Sequence, residues 1–354
     1  MSIRTVLVAG AAAVLLAGCA GPAGPAASGP ASSGAASSAA PTESRTLTVI
    51  THDSFTLSDK TIAAFKADTG YDVRFVAPGD VGTVVNQLIL TKDAPLGDVV
   101  YGIDNTFAGR AISAGILSPY ASPSQPKGWQ AYAADDTHSL SPVDYGDVCV
   151  NADSAWFKGR SLAVPRTLDD LARPEYRNLL VVENPASSSP GLAFLAATVG
   201  AKGDPGYLDY WKQLKANGVK VVKGWTEAYT VEFSGSTGKG DRPLVVSYSS
   251  SPAFEHGTQV LTQTCFRQVE YAGVLAGAQN EVGARKFVDF MLSPTVQAEI
   301  PDAMYMDPVD PDAKLPADWE KYAATIDAPI TVPVAELGAK REQWIKAWTA
   351  DVVG

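Results

Sequence analysis

From Thr46 onward the chain repeats one unit: a short β-branched run, a turn, then an apolar stripe at helical spacing. LTVIT (47–51) leads into SDKTIAAFKADTG, where Ser58 and Asp59 can start a helix, Ile62, Ala63 and Phe65 give it an apolar side, and Gly70 can stop it. YDVRFVA (71–77) with VGTVVNQLILTK (81–92), and GDVVYGI with NTFAGRAISAG, repeat the pair as far as Gly115. Strands that alternate with helices are joined by crossovers, which pair the strands in parallel and lay the helices on the sheet faces. The pattern therefore predicts an α/β fold with a mostly parallel sheet, whose ligand sites lie beyond the carboxyl ends of the strands.

A second region of the same kind opens with DYGDVCVNAD (144–153) and continues through TLDDLARPEY, where Thr167 is a cap. It then runs through NLLVVENP, SSSPGLAFLAATVG, VKVVKGW and PLVVSYSSSPA. After Cys265, FRQVEYAGVLAG has a strand pattern, and NEVGARKFVDFMLSPTVQAEIP a helix broken at Pro294. In AELGAKREQWIKAWTAD, residues Leu337, Arg341, Trp344, Ile345 and Trp348 share one helical stripe, which makes the two tryptophans core anchors. A single core stops growing near about 250–300 residues, so a folded body of about 310 residues is expected to form two lobes. We assign residues 46–143 and 266–306 to one lobe and 144–265 and 307–354 to the other. A hinged cleft between them is the natural small-molecule site.

The first residues address the chain rather than fold it. MSIRTVLVAGAAAVLLAGCA has one charge, Arg4, then a short apolar run and small residues before Cys19. This is the pattern of an export signal over residues 1–18, too short for a spanning helix of about 20 apolar residues. Leu-Ala-Gly before Cys19 resembles the bacterial lipoprotein box, which implies lipidation of Cys19 and a protein anchored to the outer face of the cell membrane. Residues 19–45 are almost wholly Ala, Gly, Pro and Ser and are expected to form a flexible tether.

Several chemistries find no support. The formal net charge of −10, with no basic stripe, argues against nucleic acid. The three histidines, His52, His138 and His256, share no metal-ligand spacing, and no G-x-S-x-G elbow is present. GSTGKG (235–240) has Gly240 where a phosphate loop needs Ser or Thr. No metal, cofactor or enzymatic role is expected. Cys149 and Cys265 form an isolated pair that is either one disulfide or two buried thiols.

What remains is recognition chemistry. KGWTEAY places Trp225, Glu227 and Tyr229 just after an apolar run, either as core packing or as an aromatic plane with a nearby charge for a flat organic cation. Ser187, Ser188 and Ser189 join a strand to an apolar helix, where hydroxyls can cap the helix and free amides favour an anion. Tyr248, Ser249, Ser250 and Ser251 follow the strand PLVVS in the same way. If the sheet is parallel, these clusters converge on one cleft edge.

THDSF, GDVVYGIDNTF, DYGDVCV, SSSPGL, KGWTEAY, SYSSSPA, FVDFMLSPTVQ and MDPV, in that order from Leu47 to Trp348, resemble the thiamine-binding proteins of ABC importers. That resemblance implies a two-lobed type II periplasmic-binding fold, similar to the ferric-binding proteins. It also implies capture of thiamine or its mono- and diphosphate by a monomer that serves a permease and an ATPase on separate chains. By matching motif, Trp225 should stack on the ligand, with Ser188, Ser189, Tyr248, Ser249, Ser250 and Ser251 around it. Asp80 and Val81 stand at the family's acid–glycine turn, with Val81 and Gly82 in reversed order. His52 and Phe254 stand where the family has Tyr, and Tyr305 where it has Trp.

Rival readings are a binder of ferric iron, a polyamine or another small solute, and a secreted serine hydrolase using SYSSSPA with His256. No Tyr-Tyr pair of the ferric type occurs, and a polyamine has no use for the serines.

Overall fold

The computed structural model describes residues 45–354. The signal, Cys19 and nearly all of the tether lie outside the described residues. The body is built on strands β1 (Thr46–Ile50), β2 (Asp72–Val76), β3 (Val99–Asp104), β4 (Leu117–Ser118) and β5 (Ser141–Asp153). Strands β6 (Leu180–Glu183), β7 (Lys220–Val222), β8 (Leu244–Tyr248), β9 (Thr258–Leu275) and β10 (Asp307–Pro308) complete it. They form one mixed sheet in the order β2-β1-β3-β9-β5-β8-β6-β7, with β4 on β9 and β10 on β5.

The wings carry out the sequence pattern. β1 pairs in parallel with β2 and β3, and β6 with β7 and β8. The middle departs from it. β5 and β9 run antiparallel to each other and to their other neighbours, so the sheet is mixed rather than mostly parallel. The motif DYGDVCVNAD belongs to the thirteen-residue strand β5, which pairs with β9 from Ser141 to Asp153 and with β8 from Val148 to Ala152. β9 starts at Thr258, ahead of the position the sequence suggested. Between Val148 and Val150 the β5–β9 register jumps from Phe266 to Leu261, and Cys149 and Cys265 are joined by a disulfide at that jump.

Helix ends follow their capping residues. Ser58 accepts from the Thr61 amide, and Gly70 ends that helix with φ 76°. Thr167 and Asp170 make a reciprocal capping box. Asp80 caps Val81–Leu90, and Ser188 caps Ser189–Lys202. The latter helix is buried on every side from Ser189 to Val199, which explains its unbroken apolar composition. Pro294 separates Glu281–Met291 from Pro294–Met304.

A further helix, Gly206–Ala216, lies where the sequence analysis places no element, and buries Tyr207, Tyr210, Trp211 and Leu214. The last helix, Val334–Trp348, packs its stripe as expected: Trp344 and Trp348 are fully buried, and Trp348 meets Trp211 edge to face at 5.3 Å. No helix among the described residues is long and apolar enough to cross a membrane.

Candidate functional site

The two wings face each other across a cavity of about 250 Å³. Asp80 is its junction. As cap of Val81–Leu90 it accepts from the Val81 amide at 2.7 Å, and it also accepts from the amides of Trp225 at 3.2 Å and Ser189 at 3.4 Å. One carboxylate thus ties a helix of the first wing to two segments of the second. Burial pushes its pKa up, against the pull of the Ser188 hydroxyl, the Val81 amide and His52. The Gly82 amide donates to the Ser187 carbonyl at 2.9 Å beside it, and Ser54 and Thr226 hydroxyls meet at 3.0 Å.

Trp225 lines the cavity with its indole stacked on Tyr229, centroids 4.9 Å apart and planes 13° from parallel. Its Nε1–H donates to Ser247 Oγ at 2.9 Å, and its plane is therefore fixed before any ligand arrives. Tyr305 stands edge-on at 5.9 Å and closes the other side. Tyr305 has φ 61°, a left-handed helix end usually taken by glycine. Phe254 stacks behind it at 3.7 Å, and Ser250 donates to its carbonyl at 2.6 Å. This ring is held in place at the expense of local backbone preference.

The structure brings His52, Asp80, Val81, Ser189, Trp225, Tyr248 and Tyr305 to the cavity wall. It sets the other candidates behind or beyond that wall. Ser188 caps its helix and also meets Asp80, Ser251 binds the Tyr248 amide and the Ser247 hydroxyl, and the Ser249 amide donates to the Asp147 carbonyl. Glu227 is exposed and accepts from the Lys223 amide, away from the lining. Ser189 Oγ is buried without a hydrogen bond; the nearby Asp104 carboxyl interacts with it but lies outside hydrogen-bond geometry.

The carboxylates that do face the cavity are Asp80, Glu255 and Glu270. Glu270 went unnoticed in the sequence, although a glutamate inside the strand VEYAGVL is itself a signal: a buried charge in a sheet needs a partner. It accepts from Tyr101 Oη at 3.0 Å and from Gln268 Nε2 at 2.9 Å. Tyr101 also bonds Asp144, whose pKa burial and the Glu270 charge push well up.

His256, the base that a hydrolase would need, stacks on Tyr322 at 4.1 Å and approaches Asp318 at 3.4 Å on the surface, away from the buried serines. Among the described residues no group of three or more His, Cys, Asp or Glu is arranged to hold a metal ion.

An aromatic and acidic cavity between two sheet wings crossed by shared strands defines a two-lobed α/β solute-binding protein of the type II periplasmic-binding class. Residues 94–330 match the profile of the bacterial extracellular solute-binding protein family. The thiamine-binding periplasmic protein of Escherichia coli (strain K12) is 30% identical over 318 residues, spanning 85% of this chain and 92% of that one. A solved periplasmic thiamin binding protein superposes with TM-score 0.76 at 29% identity, covering 87% of this chain and 96% of its own. The ferric binding protein from Campylobacter jejuni, at 16% identity and TM-score 0.68, shares the fold. The chain belongs to the bacterial extracellular solute-binding proteins, in the family of the thiamine-binding periplasmic proteins. It is a binding protein and not an enzyme.

Proposed function

We propose that this chain captures thiamine, and its mono- and diphosphate, in the cavity beside Trp225 and delivers it to an ABC permease. One observation carries the ligand assignment. A fixed indole and three carboxylates line a cavity that has no Lys or Arg in its wall. A flat cationic ring uses both features, since cation–π attraction contributes about 0.5–2 kcal/mol per contact and the carboxylates add charge complementarity. The buried Ser189 hydroxyl, which makes no hydrogen bond and stands at the start of a fourteen-residue helix, suits the alcohol or phosphate end. A polyamine leaves that hydroxyl without a role, and a ferric ion lacks a ligand set.

The lobes divide near 143/144, 265/266 and 306/307, where β5, β9 and β10 pass between the wings, and these crossings are the hinge. Export through residues 1–18, lipidation at Cys19, a tether over 19–45 and a monomeric state complete the proposal.

The test is direct. Thiamine added to the delipidated protein quenches tryptophan fluorescence and raises the melting temperature, with about 2.7 kcal/mol of added stability at 100 times the dissociation constant. A shift with another solute and none with thiamine or its phosphates rejects the assignment.

A further inference from the structure

Three carboxylates line the cavity, and His52 is the single basic side chain among the lining residues. His52 Nε2 lies 3.6 Å from Glu270 Oε2, within ion-pair range but longer than a hydrogen bond, and is buried with no other partner. Its ring fits against Gly102, whose φ of +97° and missing side chain leave the room; a Cβ there would overlap the imidazole. Glu270 sits in β9 between Val269 and Tyr271. Tyr101 Oη reaches both Glu270 and Asp144, and burial together with the neighbouring Glu270 pushes the Asp144 pKa well up.

The groups that face His52 come from every side. They are Glu270 from β9, Asp80 from the helix start, Asp53 from its own loop, and the Tyr101 ring from β3 at 5.8 Å. Burial alone lowers the His52 pKa, but Glu270, then Asp80 and Asp53, outweigh it and hold it above its ordinary value. In the empty cavity the imidazole and the Glu270 carboxyl therefore face each other at ion-pair distance, an arrangement that favours a proton on His52.

We propose that Glu270 is the counter-charge for the ligand's cationic ring and that His52 is the cation it replaces, so that ligand enters in exchange for a proton. This rests on the thiamine reading, because a neutral solute has no reason to displace that proton. Thiamine's quaternary ring nitrogen has no proton to lose and keeps its charge across the pH range of the titration. Placed beside Glu270 and the imidazole, it repels the second positive charge. The His52 pKa falls, and up to one proton passes to solvent for each cation bound. The sign follows: affinity is lower at acid pH, rises as pH passes the His52 pKa of the empty site, and levels off above it.

The experiment is calorimetric and fluorescence titration of the mature chain with thiamine, from about pH 6 to about pH 8.5, in two buffers of different ionisation enthalpy. Wild type should release a measurable fraction of a proton, one at most, and bind up to about tenfold more tightly at the alkaline end. His52→Gln, which also changes the cavity wall and with it the absolute affinity, should show proton release near zero and a flat pH profile. Glu270→Gln should lose at least about tenfold in affinity, and a melting curve shows whether it is folded.

If Glu270→Gln does not fold, the His52 comparison decides by itself. Thiamine binding with a flat wild-type profile and no proton release overturns this inference alone, as does undiminished proton release from His52→Gln. No thiamine binding at any pH overturns the ligand assignment, and this inference with it.

Discussion

Gly82→Ala tests whether the wing-to-wing contacts belong to a closed, ligand-holding state. Gly82 is in the first turn of Val81–Leu90, and its amide donates to the Ser187 carbonyl. A Cβ on Gly82 would lie 2.5 Å from the Ala186 carbonyl oxygen and 2.7 Å from Ser187 Cα. Both neighbours are backbone, so no side chain can rotate away. Overpacking of this kind costs about 1–3 kcal/mol.

If the contact exists only when the wings close, that cost falls on the closed state. A penalty of about 2 kcal/mol then weakens apparent affinity by about 30-fold. The empty protein swings open and melts as wild type does. Tryptophan fluorescence titration with thiamine reads the first quantity, and a thermal melt without ligand reads the second. Unchanged affinity would refute the need for this close approach. A large drop in the melting temperature of the empty protein would show that the contact belongs to the permanent fold.

Three further outcomes are expected. Trp225→Ala should weaken thiamine by about 2- to 30-fold, the size of a lost cation–π contact, while the protein stays folded because Ser247 keeps its bond to Ser251; unfolding would mean the indole is core. Replacing Cys149 and Cys265 with Ser should lower the melting temperature by removing about 2–5 kcal/mol, since the bridge closes a loop of 116 residues; an unchanged melt under reducing conditions would contradict this.

Asp104, buried beside Thr106, has its pKa raised to about 7, chiefly by burial. A carboxyl raised on folding favours the folded state at acid pH and loses that contribution as pH climbs towards 7. Asp104→Asn, which can keep the Thr106 hydroxyl as a partner, should therefore flatten the fall in stability between about pH 4 and about pH 7 by a few kcal/mol at most. Equal slopes for variant and wild type, measured by denaturant titration, would count against it.

The parts of the structure legible along the chain are those set by neighbours in sequence. β-branched runs became β1, β2, β3, β6 and β8; Ser58, Asp80, Thr167 and Ser188 became caps; and the stripe through Trp344 and Trp348 met the core. Each depends on a periodicity or a side-chain-to-backbone bond spanning a few residues. Trp225, His52 and Asp80 were legible as candidate site residues because motifs around them resemble a known family, and all three line the cavity.

Long-range pairing decided the rest. β5 and β9 are buried along most of their length, so neither shows the alternation that would reveal its neighbours or its direction. Their antiparallel crossing makes the sheet mixed and sets where the wings meet. Glu270 reaches His52 only because β9 returns beside β3 after more than 160 residues. The same local physics that makes a serine a ligand candidate makes it a cap, and tertiary packing alone chose the cap for Ser188 and the cavity for Ser189. Composition and spacing supplied the chemical groups; which of them share one cavity was settled by chain reversal, because electrostatic contact needs a few ångströms and sequence distance carries none of that information.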